Sequence, residues 1–90
     1  MNAEAIKRVC DEAKAAATAK PGRYGGRYIA RKWDRVEKRE VFLVLDDDDP
    51  SIHQPTDVDV FAQVTPTTVH AMGTARNWLN PDGSVDPAYL

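Results

Sequence analysis

Four consecutive aspartates, Asp46 to Asp49, are followed closely by His53, Asp57 and Asp59. So many oxygen donors in one stretch are the raw material of a calcium or magnesium site, and His53 would shift the preference toward zinc or manganese. The spacing argues against it. Neighbouring side chains in an extended segment point to opposite sides, so four successive carboxylates cannot converge on one ion. The alternating acids, central glycine and terminal glutamate of an EF-hand loop are also missing. The expectation is a solvated acidic segment without metal or cofactor, in which Asp46, Asp47, Asp48, Asp49, Asp57 and Asp59 form an electrostatic contact for another protein.

The opposite charge is concentrated upstream. Residues 1–40 hold 11 Lys/Arg against 6 Asp/Glu, and residues 41–90 hold only Arg76 against 8 acids. Arg23, Tyr24, Arg27, Tyr28, Arg31, Lys32, Trp33 and Arg35 interleave cations with aromatic rings, the combination that binds phosphates and stacks on bases. A nucleic-acid-binding module using residues 20–39 is therefore the alternative to protein binding. The strongly acidic second half would repel a long duplex, which places this reading second.

Other reactive side chains have plainer roles. His70 has no acid or cysteine at helical spacing, and reads as solvent-exposed. Cys10 lies in an apolar stripe and reads as a buried structural thiol. The glycines at 22, 25 and 26 are not followed by Gly-Lys-Ser/Thr, so they form no P-loop. No nucleophile–base set or carboxylate pair can be assembled, and the chain is not expected to be an enzyme.

The elements that position these residues follow from periodicity. Residues 2–19 predict a helix with Ile6, Val9, Cys10, Ala13, Ala16 and Ala17 on one face, stopped by Lys20-Pro21-Gly22. Residues 27–33 predict a strand, with a hairpin turn over 34–40 favoured over a helix through Ile29, Trp33 and Val36. Val41 to Leu45 predict the central strand, continuous and β-branched. Residues 57–64 alternate, with Val58, Val60, Ala62 and Val64 on one side and Asp57, Asp59, Phe61 and Gln63 on the other. Thr65 as N-cap and Pro66 at the first helical position predict a second helix through Val69, Met72, Ala75 and Leu79, closed by Asn80-Pro81-Asp82-Gly83.

Ninety residues allow one domain, here 1–83, with 84–90 as a C-terminal tail. The predicted fold class is α+β: a small antiparallel sheet of about three strands with an N-terminal and a C-terminal helix on one face, in the order αβββα. Double-stranded RNA-binding domains share that order, but the lysine cluster that opens their last helix is replaced here by Pro66, Thr67, Thr68, Val69 and His70. Two helices on one side would leave Phe42, Val44 and Phe61 uncovered on the other, a face for a homodimer or a partner. The competing expectation is that the 47–56 loop or the tail folds over it. The lone cysteine and the lack of a membrane span or secretory signal predict a cytoplasmic protein. Taken together, the expected function is that of a small accessory or regulatory protein, of a size and charge that would suit a phage or prophage, acting by protein–protein interaction.

Overall fold

The computed structural model describes residues 3–20, 26–52 and 58–89. One helix, α1 (Ala3–Ala19), precedes strands β1 (Arg27–Asp34), β2 (Arg39–Asp46), β3 (Asp59–Val64) and β4 (Val69–Ala71). The strands form one antiparallel sheet in the order β2-β1-β3-β4. The fold is thus a small α+β unit, and no helix among the described residues is long and apolar enough to cross a membrane.

α1 buries Ile6, Val9, Cys10, Ala13 and Ala17, all on one side of the helix. Small residues along this stripe let the helix lie close to the sheet, over Ile29, Phe42, Val44, Phe61, Ala62 and Val64. The exposed side carries an ion pair at helical spacing, Lys7 Nζ to Asp11 Oδ1 at 2.8 Å, a solvent-screened contact that adds little to stability.

The 34–40 segment resolves as a hairpin turn. Asp34 pairs with Arg39 across the ladder, leaving a four-residue loop. The Asp34 carboxylate does the work of a glycine or asparagine turn signal: its Oδ1 accepts the N–H of Val36 at 2.9 Å and of Glu37 at 3.1 Å. Lys38 closes the loop in the left-handed region, at φ 52°. Fixing this hairpin makes β1 the central strand and puts Val41 to Leu45, expected at the centre, on the β2 edge.

The predicted second helix is replaced by a turn, a strand and a 3-10 segment. Thr65 Oγ1 accepts the N–H of Thr68 at 3.1 Å, and the Thr65 N–H donates to the Thr68 carbonyl at 2.9 Å, which closes a hairpin between β3 and β4. Pro66 suits the start of a turn as well as the start of a helix, and the β-branched run Thr67, Thr68, Val69 decides for the strand. Gly73, at φ +59°, then ends any helical path, and Gly73–Asn77 continues as 3-10 helix. The sheet gains a fourth strand and the C-terminal helix is lost.

The core still has two covers on one face. α1 covers the β2–β1–β3 side, and Ala75, Trp78 and Leu79 cover the rest. Phe42, Phe61 and Trp78 make a row of edge-on rings, with centroids 5.4 and 4.8 Å apart. The 84–89 segment belongs to this cover: Leu79 bridges to Val85, and Val85 packs against the core.

β3 departs from simple alternation. Ile29 opposes Ala62, but Ala30 opposes Val60, so Phe61 is an extra residue in a β-bulge. The bulge turns Phe61 and Ala62 toward the same core, where both are buried. β2 and β3 run parallel to each other on either side of β1. Opposite α1, Ala30 is fully buried and Val41, Leu43, Leu45 and Val60 are half-buried.

Gly26 allows β1 to start against the end of β3. A Cβ at this position would collide with the Val64 carbonyl oxygen, a backbone atom that cannot swing aside. Gly26→Ala should lower unfolding free energy by about 2 kcal/mol or more, measured by urea denaturation with circular dichroism.

Candidate functional site: the exposed hairpin

The fold brings together charges that are far apart in sequence. The Arg27 guanidinium is buried, with the residue 5 % exposed. Its Nε lies 3.1 Å from Asp46 Oδ1, Nη1 donates to the Gly26 carbonyl at 3.1 Å, and Nη2 donates to the Lys20 carbonyl at 2.6 Å. The last turn of α1 holds no basic residue, so this guanidinium supplies the positive charge that the helix C-terminus favours. Arg31 Nε meets Asp59 Oδ2 at 2.9 Å, and the Arg31 guanidinium sits over the Phe61 ring, 5.8 Å from its centroid.

These pairings consume much of both sequence-predicted surfaces. In the acidic set, Asp46 and Asp59 are partners of arginines, Asp47 is buried at 3 % exposure, and Asp49 is half-buried. Asp48 is exposed, and Asp57 lies outside the described residues, as does His53. Among the described residues no three His, Cys, Asp or Glu side chains group as a metal site would need. In the basic–aromatic set, Arg27 and Arg31 are tied down, Tyr28 is half-buried, and Arg23 and Tyr24 lie outside the described residues. Lys32, Trp33 and Arg35 remain open to solvent.

The face expected to be bare is the covered one. Phe42, Val44 and Phe61 belong to the side under α1 and the 73–79 segment, with Phe61 1 % exposed. The sequence alternation distinguishes the two faces of β2 but does not say which one the helix takes. The bulge also moves Phe61 to the side opposite that expected from strict alternation.

The open apolar surface gathers at the β1–β2 hairpin. Trp33 is 58 % exposed and Val36 is 88 % exposed. Lys32, Trp33, Asp34 and Arg35 line one shallow hollow. On the α1 side, Trp33 continues into a groove walled by Arg8, Val9 and Glu12 of the helix and Glu40 and Phe42 of β2. The turn beneath Val36 is well held, since the N–H groups of Glu37 and Val36 keep the Asp34 carboxyl below its usual range. Sequence reasoning included Trp33 only for base stacking and did not single out Val36. Its position two residues into a loop without glycine or proline was the available signal.

Cys10 is fully buried, and burial pushes its thiol up to about 11. His70 is exposed on β4, opposite Gln63. Comparison of the chain with protein-family models, curated proteins and solved structures finds no match.

Two outcomes follow from the buried groups. Arg27→Ala strips two backbone carbonyls of their donor and should cost about 2–4 kcal/mol, whereas Asp46→Asn, at a carboxylate 74 % exposed, should cost less than about 1 kcal/mol in the same denaturant titration. The Cys10 thiol keeps its proton in the folded chain after the unfolded chain has lost it. Its contribution to stability is therefore intact below the ordinary thiol range and lost as pH rises toward 11, with a slope approaching 1.4 kcal/mol per pH unit that is absent in Cys10→Ala melts.

Proposed function

We propose that this chain is a small non-enzymatic accessory or regulatory protein that acts by binding another protein, with the β1–β2 hairpin as its contact surface. The observation that carries this reading is the exposure of Trp33 and Val36 on a turn fixed by the Asp34 carboxylate. Tryptophan and arginine are the residues of interface hot spots, and Trp33 has Arg31 and Arg35 two residues to either side; a large rigid ring gives up little conformational entropy when it is buried. A preformed hairpin offers that ring already in place.

This reading transfers the contact from the acidic loop to the hairpin. The loop retains Asp48 as an exposed charge, while Asp46, Asp47 and Asp59 serve the fold. Charge balance on the hairpin also favours a protein over a nucleic acid. Lys32, Arg35, Lys38 and Arg39 are set among Asp34, Glu37 and Glu40, so the net attraction for a polyanion is that of one unit charge.

The test is affinity capture from host lysate with the tagged chain and a Trp33→Ala/Val36→Ser variant, with and without nuclease. The expected result is one stoichiometric protein that survives nuclease and binds the double variant at least about tenfold more weakly. Nucleic acid that is released by salt, and lost on Lys32→Glu/Arg35→Glu while Asp48→Asn has no effect, would replace this reading with the nucleic-acid one.

A further inference from the structure

The two edges of the sheet are protected very differently. β4 is three residues long, and a short edge offers little for another strand to pair with. β2 is eight residues long and regular throughout its pairing with β1. Between Glu40 and Asp46 its sequence is Val-Phe-Leu-Val-Leu, without proline, glycine or charge. Its outer side has no neighbouring strand among the described residues. The usual devices that stop edge pairing, a lysine or proline in mid-strand or a bulge, are therefore absent from β2.

From this edge and its charge we infer that β2 pairs antiparallel with β2 of a second copy, joining two four-stranded sheets into one of eight. The second copy is singled out by the charge along the strand. One end of β2 is the hairpin, where Lys38 and Arg39 stand between Glu37 and Glu40; the other end runs into Asp46, which keeps an exposed carboxylate beside Arg27, and on to the exposed Asp48. Pairing about a two-fold axis perpendicular to the sheet sets the basic end of each copy against the acidic end of the other, twice per dimer. Under that symmetry directly opposed residues share a face. A two-fold through Leu43 would set Glu40 against Asp46, like charge on like charge. A two-fold through Phe42 avoids this: it brings Lys38, in the turn that leads into β2, near Asp46 and opposes Val41 with Leu43, so the half-buried Val41 and Leu43 gain apolar neighbours on the side away from α1. Trp33 lies on β1 and Val36 in the turn, outside the β2 strand that forms the seam, so dimerisation and partner binding are read by different variants.

Sedimentation equilibrium from low to high micromolar concentration tests the seam, combined with hydrogen exchange of the β2 amides. The expected result is a dimer whose Kd rises about tenfold or more in Lys38→Glu/Arg39→Glu and again in raised salt, with slow exchange on both sides of β2. Leu43→Lys should give a monomer, and its circular dichroism must match the parent for the result to count. If it unfolds, the charge-reversal variant alone decides. A monomer at every concentration overturns the inference. So does a dimer unchanged by charge reversal, because that dimer would use another surface.

Discussion

A guanidinium buried in a ninety-residue protein has to be surrounded by acceptors, and the arrangement around Arg27 fixes where three elements meet. It binds the carbonyl just beyond α1, the carbonyl that precedes β1, and the carboxylate that ends β2. Removing a charge from water costs several kcal/mol unless its donors are all used, so the alternatives in which α1 ends elsewhere, or β2 shifts register, leave this group unsatisfied. The close approach at Gly26 acts at the same corner, holding the start of β1 against Val64. The small-residue stripe of α1 can then settle over the sheet in one place.

The segregation of charge along the chain has a structural use. A basic β1 lies between β2, which ends in aspartate, and β3, which begins with aspartate. Each cross-strand pair joins an arginine from one half of the sequence to an acid from the other. Such pairs add modest energy at the surface, about 0–1 kcal/mol each, but they disfavour a register that would bring like charges together. What reads along the chain as two opposed patches is thus joined in space at two cross-strand contacts, while Lys32 and Arg35 stay open beside the exposed Trp33 and Val36 at the hairpin.

The legible parts of the fold were those written in local pattern. The helical stripe through Ile6, Val9, Cys10 and Ala13 appears where the period places it, and so do the strands around Ile29, Leu43 and Val60. The C-terminal helix failed because Thr65-Pro66 opens a turn as readily as a helix, and the spacing of Val69, Met72, Ala75 and Leu79 is helical by coincidence. Met72 is in fact exposed. Pairing order is not local, so composition points to the most apolar strand as the central one although it is an edge. The same gap affected the candidate site. Which carboxylates answer which arginines depends on strand partners, and the side taken by α1 decides the fate of Phe42 and Val44. The importance of Trp33 was visible in its residue type, but its exposure was not.

The bulge at Phe61 has a consequence for how this strand tolerates changes in chain length. Ahead of it the core-facing side of β3 falls on odd-numbered residues, as at Asp59 beneath Arg31; beyond it the side falls on even ones, Ala62 and Val64. The bulge thus resets the phase of the strand by one. Loss of a single residue here would leave both flanking ladders in place and straighten the strand, whereas the same loss at Gln63 would turn one flank inside out. Relatives aligned by hydrophobic alternation would need a one-residue gap at this point, and a gap there would mark the same architecture rather than a different one.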